Sequence, residues 1–262
     1  KTRVDNYSSV LIERRWLSDR SFEITLEKPT TFEYLAGQWI RLTQDAVERD
    51  YTLVTAPTDP NLALCIRNIE GGILVHRLSH APIGTRFNFS GPQGYFTFKP
   101  SRRPAVFVAT GTGVAPFVSM ARSGVTGFTL LHGVRTAADF YYASVFKSTA
   151  KHYIPCLSES HASPKDVFHG RVTDFLYKNL APGRYDFYLC GRREMIRDVT
   201  ICADEKFPES LIFTEIFIKC HLSDMICLSK GVRTYLALET SFIATDAFLQ
   251  FSQGQVWPQQ SH

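Results

Sequence analysis

Polar and apolar positions alternate through Ser21-Phe-Glu-Ile-Thr-Leu-Glu27, which puts Phe22, Ile24 and Leu26 on one face, the period of a half-buried strand. Similar short runs occur at Val10–Glu13, Trp39–Leu42, Tyr51–Thr55, Ala63–Arg67 and Arg86–Phe89. Gly37, Pro57, Asp59-Pro60, Gly71-Gly72, Gly84 and Gly91-Pro92 supply turns between them, and a helix is predicted over roughly Ile73 to Ser79. Many short antiparallel strands favour a small barrel, which removes exposed sheet edges by closure. Beyond Lys99-Pro-Ser-Arg-Arg103 the pattern changes. Pro104-Ala-Val-Phe-Val-Ala-Thr110, Phe128-Thr-Leu-Leu-His132 and Tyr185-Asp-Phe-Tyr-Leu-Cys190 are continuous apolar runs, each followed by glycine and a helix-compatible stretch. Strands buried on both faces and alternating with helices are what a parallel α/β sheet requires. The predicted architecture is therefore two-domain, an N-terminal antiparallel six-stranded β-barrel over 1–100 and a C-terminal α/β parallel sheet over 101–217. From Lys219 to His262 the βαβ rhythm does not continue, so 218–262 is an extension of unknown role, with a Gln/Ser-rich end from Gln250 that reads as loosely ordered.

Composition narrows the partners. The 262 residues are long enough for two compact domains, and 44% hydrophobic and 21% charged residues exclude wholesale disorder. A net charge of +4 comes from 29 basic and 25 acidic residues interspersed along the chain, which points to local anion sites and not to a nucleic-acid partner. Six scattered cysteines, without a CxxC or a His/Cys cluster at zinc spacing, indicate neither a disulfide framework nor a metal site and fit a reducing cytoplasm. The longest apolar tract, Ala105 to Ala121, is broken by Thr110-Gly-Thr-Gly and Pro116, so no membrane span or signal peptide is expected. The chain begins at Lys1 and not Met, as one with an N-terminal piece removed would.

Four stretches carry candidate chemistry. Arg49-Asp-Tyr-Thr52 offers a cation for a phosphate, a flat aromatic and a hydrogen-bonding group, with Arg49 and Tyr51 on one face of a strand. Taken alone it reads more readily as an edge strand with Arg49 solvated. Gly71-Gly72 opens onto a helix whose first N–H groups, at Ile73, Leu74 and Val75, make an anion site to which Arg67 could add charge; an ordinary turn and helix start accounts for it equally well. In Val106 to Pro116 a buried strand runs into Thr110-Gly111-Thr112-Gly113 and a helix beginning around Ala115-Pro116, the geometry that cradles a dinucleotide phosphate, although neither GxGxxG nor a P-loop is present. Cys190-Gly191 falls at the carboxyl end of a second buried strand, where ligands of open α/β sheets bind.

In order along the chain, Arg-x-Tyr-Thr at Arg49–Thr52, Gly-Gly at Gly71, Gly-Pro-x-Gly-x-Phe at Gly91–Phe96, Gly-Thr-Gly-x-Ala-Pro at Gly111–Pro116 and Cys-Gly at Cys190 resemble the ferredoxin–NADP reductase family over Val10 to Phe217. The resemblance implies FAD and NADH or NADPH as cofactors. Arg49 would pair with the FAD diphosphate, Tyr51 stack on its ring, and Thr52 hydrogen-bond near N5. Gly72 to Val75 would face the diphosphate, Thr112 and Gly113 would hold the nicotinamide dinucleotide, and Phe217 would neighbour the flavin. Cys190 would sit near the nicotinamide, which makes Thr52 and Cys190 the catalytic candidates. The implied activity is hydride transfer from NAD(P)H to FAD and electron delivery to a separate ferredoxin or oxygenase component, since the C-x4-C-x2-C iron–sulfur spacing is absent.

Two departures matter. Where the family usually has a Ser or Thr after the glycine pair, this chain has Val75, so a hydroxyl contact is lost. Arg135 and Arg171 are candidate cations for a 2′-phosphate, yet Ser158-Glu159 places a carboxylate where several NADPH reductases carry Ser-Arg, which leans toward NADH. Two other readings stay open: an electron-transfer subunit of a larger complex, and a non-enzymatic nucleotide-binding protein.

Overall fold

The computed structural model describes residues 5–159 and 166–215, and the backbone alone at 233–236. The first sheet contains β1 (Asp5–Ser18), β2 (Ser21–Glu27), β3 (Trp39–Gln44), β4 (Val47–Thr52), β5 (Asn61–Arg67) and β6 (Arg86–Gln93), in spatial order β4-β3-β6-β1-β2-β5. All pairings are antiparallel. β1 is longer than the pattern predicts because it serves two partners. Asp5–Val10 pairs with β6 and Leu11–Ser18 with β2, and register shifts after Leu11 and Trp16 bend the strand so that the sheet curls. The edges β4 and β5 then meet through a single bridge between Leu53 and Leu64. Phe22, Ile24 and Leu26 face the interior as their alternation predicts, together with Ile40, Leu42, Phe87 and Phe89. Helix α1 (Ile73–His80) closes this core with Leu74, Val75 and Leu78.

The second sheet contains β7 (Ala105–Thr110), β8 (Thr129–Val134), β9 (His152–Leu157), β10 (Phe168–His169), β11 (Asp186–Cys190), β12 (Leu211–Glu215) and β13 (Arg233–Leu236), in order β10-β9-β8-β7-β11-β12-β13, all parallel. Helices α2 (Ala115–Arg122) and α3 (Ala143–Thr149) cover one face, and α4 (Val172–Asn179) and α5 (Arg193–Lys206) the other. The continuous apolar runs are explained by this double cover. In β7, Val106 and Val108 pack among α4 and α5 residues while Phe107 and Ala109 face α2; in β11, Phe187 and Leu189 divide from Tyr188 and Cys190 in the same way. β13 corrects one sequence expectation, because the chain beyond Lys219 does return to the sheet, as a parallel neighbour of β12.

The two sheets share a core. Val54, Ala63, Cys65 and Phe96 from the first module pack with Phe107, Phe117, Tyr141, Tyr142 and Cys190 of the second. Phe107 stacks on Phe117 and Phe128 at 4.6 and 4.4 Å, a cluster whose truncation to alanine costs about 3–5 kcal/mol. The connecting segment is also fixed: Ser101 donates to the buried Asp186 carboxylate and Arg103 approaches it at 3.6 Å.

Candidate functional site

From β7 the chain moves outward through β8, β9 and β10, then returns to β11 on the opposite side, so strand order reverses between β7 and β11. Ligands of open α/β sheets bind beyond the strand carboxyl ends at such a switch point. Thr110 ends β7 and Cys190 ends β11 there. Their loops cross so closely that only glycine fits. A Cβ on Gly113 would lie 2.6 Å from the Gly191 Cα, and one on Gly191, whose φ is 143°, would lie 2.9 Å from the Thr110 amide nitrogen. Thr110 Oγ1 accepts the Arg192 N–H at 2.9 Å and locks the crossing. Gly111 to Val114, including Thr112, forms a 3-10 turn that feeds α2, and Pro116 occupies the first turn of that helix as expected. No described side chain caps the 3-10 turn, and since the Ala115 N–H donates to the Thr112 carbonyl and Pro116 has none, the N–H groups open to an anion are those at the start of that turn.

The barrel supplies the other wall. Arg49, Tyr51 and Thr52 lie on β4 opposite Leu42, Ile40 and Trp39 of β3. Arg49 is exposed, and its Nη1 donates to the neighbouring Glu48 carbonyl at 2.6 Å. Tyr51 is half-buried, and burial pushes its phenol up to about 12, so it presents a neutral ring. Thr52, on the other face of β4, is buried, and its Oγ1 has no partner among the described residues. Asp50 beside it is held by a two-pronged Arg41 contact at 2.7 and 3.0 Å. Gly71, at φ 75°, and Gly72 start α1 without a side-chain cap, and the Ile73, Leu74 and Val75 amides form its open first turn. The Leu74 and Val75 side chains are core, so the Val75 departure exchanges a hydroxyl for apolar packing. Arg67 reaches the sheet module, where its Nη1 lies 4.0 Å from the place a Gly111 Cβ would take.

Cys190 is fully buried, pairs with Ala109 and Glu215 in the sheet, and has its thiol pushed well above the ordinary range by burial and then by Glu215. It is a neutral thiol and no nucleophile. Glu215 is the residue that sequence reasoning passed over. Its carboxyl is 4% exposed, and neither oxygen has a hydrogen-bond partner among the described residues. Burial, then the charge of Asp50, raises its pKa well above the usual carboxylate range. A Cβ on Gly94 would lie 3.1 Å from Glu215 Oε1 and 2.6 Å from Trp39 Nε1, so the barrel reaches this carboxyl through Gly94 and Trp39. In the sequence it is marked only by its place in Thr214-Glu-Ile-Phe217, two residues before Phe217. Phe217 itself lies outside the described residues.

The remaining candidates sit farther out. Arg135 follows β8 and pairs with Glu159 at 3.5 Å, both exposed, while Ser158 N–H donates to the Val134 carbonyl at 3.1 Å and holds the two loops together. Arg171 precedes α4, where its N–H donates to Asp174 at 2.9 Å, and its side chain is exposed.

Residues 10–98 match the oxidoreductase FAD-binding domain family and residues 107–200 the oxidoreductase NAD-binding domain family. Over 219 residues the chain is 31% identical to ferredoxin–NADP reductase B of Sorangium cellulosum, covering 74% of this chain and 89% of that one. Over 215 residues it is 28% identical to the electron transfer component of toluate 1,2-dioxygenase from Pseudomonas putida, covering 76% and 64%. In fold it resembles a ferredoxin NADP+ reductase from Neisseria gonorrhoeae with a TM-score of 0.70 at 17% identity, over 90% of this chain and all of that one. The chain thus belongs to the ferredoxin–NADP reductase family, with FAD and a nicotinamide dinucleotide as its cofactors. It spans less than two thirds of some oxygenase reductases it matches, 56% for the aromatic O-demethylase reductase subunit of Amycolatopsis. Among the described residues no helix is long and apolar enough to cross a membrane, and no group of His, Cys, Asp or Glu is placed to hold a metal ion.

Proposed function

We propose that this chain takes a hydride from NADH onto FAD and passes electrons to a separate acceptor, a ferredoxin or an oxygenase component. The observation that carries this reading is the seam itself. Thr52 from one module and Cys190 and Glu215 from the other are all buried, Cys190 in the core the modules share and Thr52 and Glu215 on either side of Trp39, with the Thr52 hydroxyl and both Glu215 oxygens lacking partners among the described residues. Orphaned buried polar atoms are costly unless a ligand satisfies them, and both cofactors fit what is there. FAD, when bound, supplies a ring that accepts two electrons together and releases them singly.

In this reading the Arg49 guanidinium and the open first turn of α1 from Gly72 to Val75 hold the FAD diphosphate, and Tyr51 provides an apolar wall. Thr52 offers its hydroxyl to the ring edge. Gly111, Thr112 and Gly113 of the 3-10 turn hold the dinucleotide phosphates, joined by Arg67 from the barrel. Cys190 and Gly191 line the nicotinamide face without charge, and Glu215 keeps a proton beside them. NADH is favoured over NADPH because Glu159 already neutralises Arg135, and a carboxylate repels a 2′-phosphate while accepting a hydrogen bond from a 2′-hydroxyl. The division of the chain is 1–100, 101–217 and an extension at 218–262 that adds β13 to the second sheet, and the setting is a reducing cytoplasm. The names of the relatives, reductase and electron transfer components of oxygenases, support the acceptor class.

Anaerobic titration of the flavin-loaded protein with NADH and with NADPH tests this directly. Bleaching of the flavin bands by NADH at much lower concentration than NADPH is expected. Equal bleaching by both removes the donor assignment, and a protein that cannot be loaded with FAD removes the reading altogether, leaving a nucleotide-binding protein.

A further inference from the structure

We infer that Tyr142, together with Arg122, is a positioning residue that fixes the seam between the two modules and thereby the spacing of the two half-sites; this rests on the proposed function. Tyr142 precedes α3 with φ 63° and ψ 12°, the left-handed region that a bulky side chain rarely adopts. Glycine or asparagine would start a helix there more easily, so the strain is held for the sake of the ring. That ring crosses to the barrel, where the phenol donates to Glu23 Oε2 at 2.6 Å. Glu23 is itself nearly buried on β2, and its other oxygen accepts from Arg15 at 2.9 Å. Burial and the nearby carboxylate keep the phenol protonated, as a donor must be.

The network continues to both half-sites. The Arg122 guanidinium lies 5.6 Å from the centre of the Tyr142 ring and donates to the Val54 carbonyl at 2.8 Å. Val54 is two residues beyond Thr52. Arg122 and Ser119, whose Oγ donates to the Thr55 carbonyl at 2.6 Å, are on α2, the helix that begins at the Gly111–Gly113 turn. One continuous set of contacts therefore ties β2 and the end of β4 to the helix carrying the dinucleotide turn. Hydride transfer is steeply sensitive to placement, and a misplacement of about 1 Å can cost on the order of 100-fold in rate.

The test compares the flavin-loaded full chain with Tyr142→Phe, Glu23→Gln, Arg122→Met and Arg122→Lys. Two measurements are made: single-turnover flavin reduction over a range of NADH, and amide hydrogen exchange without NADH. Tyr142→Phe and Arg122→Met are expected to reduce flavin about tenfold more slowly at saturating NADH, with NADH affinity unchanged within about twofold. Exchange should quicken at residues 20–25 and 139–146. Glu23→Gln, which keeps an acceptor for the phenol, should lose less, and Arg122→Met covers the case of poor folding by Tyr142→Phe. Arg122→Lys, which keeps a donor for Val54, should recover most of the rate. A Tyr142→Phe or Arg122→Met protein with unchanged rate and unchanged exchange overturns the inference, as does a rate loss matched by an equal loss of NADH affinity. If NADH fails to reduce even the wild-type flavin, the proposed function falls, and the exchange data alone decide whether Tyr142 fixes the seam.

Discussion

On the barrel, what is offered to a ligand belongs to side chains and an open helix end: an exposed Arg49, a half-buried Tyr51, a Thr52 hydroxyl without a partner among the described residues, and the uncapped first turn of α1. On the parallel sheet the corresponding wall is backbone, two loops crossing at Gly113 and Gly191 with no room for a methyl group. The first kind of surface loses affinity gradually as side chains are changed. The second is all or nothing, since shifting either loop moves the start of α2 and the end of β11 together.

The largest contrast is expected between glycines. Gly191→Ala forces both a φ of 143° and overlap with Thr110, and Gly113→Ala overlaps the Cys190–Gly191 backbone. The strained conformation alone costs about 1–3 kcal/mol, and calorimetry should find NADH binding abolished in both variants. Gly71→Ala in the barrel, although at φ 75°, meets nothing within 4 Å, so it should lose only about 1 kcal/mol and keep FAD. Loss of both cofactors in all three would erase the contrast.

Acid should also separate the modules. His132 on β8 is fully buried, bonds Tyr153 at 3.2 Å through Nδ1, has no partner for Nε2 among the described residues, and is pushed down to about 3 by burial. Between the unfolded value of 6.5 and about 3 the unfolded chain takes up a proton that the folded chain refuses, so this contribution is intact above 6.5 and is lost as pH falls. On the order of 3 kcal/mol should vanish between about pH 7 and about pH 4.5. Thermal unfolding of His132→Phe should show a flatter acid limb; an identical limb would mean that other groups govern it.

Smaller effects belong to exposed charges. Arg49→Ala should weaken FAD retention by about 1.5–3 kcal/mol, roughly 10- to 100-fold, measured as the FAD dissociation constant, with NADH binding untouched. Glu159→Gln frees Arg135 and should improve binding of adenosine 2′,5′-bisphosphate relative to 5′-AMP by only a few-fold, as befits a solvent-exposed pair worth about 1 kcal/mol or less. No change in that ratio would place the 2′ position elsewhere.

Much of the fold was legible in the chain because its two modules use different periods. Alternation at Phe22, Ile24 and Leu26 marks the face turned to the barrel core, although Ser21 and Glu23 on the other face are also covered, and unbroken runs at Ala105–Thr110 and Asp186–Cys190 mark strands covered on both faces by helices. The long reach of β1 was hidden, since a strand that changes partners midway has no single burial pattern. β13 was hidden for another reason, that four residues at a sheet edge carry too little apolar periodicity to register. Of the site, the glycine turns and Cys190 were visible as motifs. Glu215 and Tyr142 were not, because a lone acid and one of a pair of tyrosines acquire meaning only when folding buries them against a partner module.

The claim that both modules close on one reacting site is tested most directly by reducing the flavin-loaded protein with NADH carrying deuterium at nicotinamide C4. Direct transfer across the seam requires reduction to be slower with the deuterated donor on one face of the ring, with the label leaving the nicotinamide. Identical rates for protonated and deuterated donors at saturation, with flavin reduced only after slow exchange with solvent, would contradict it.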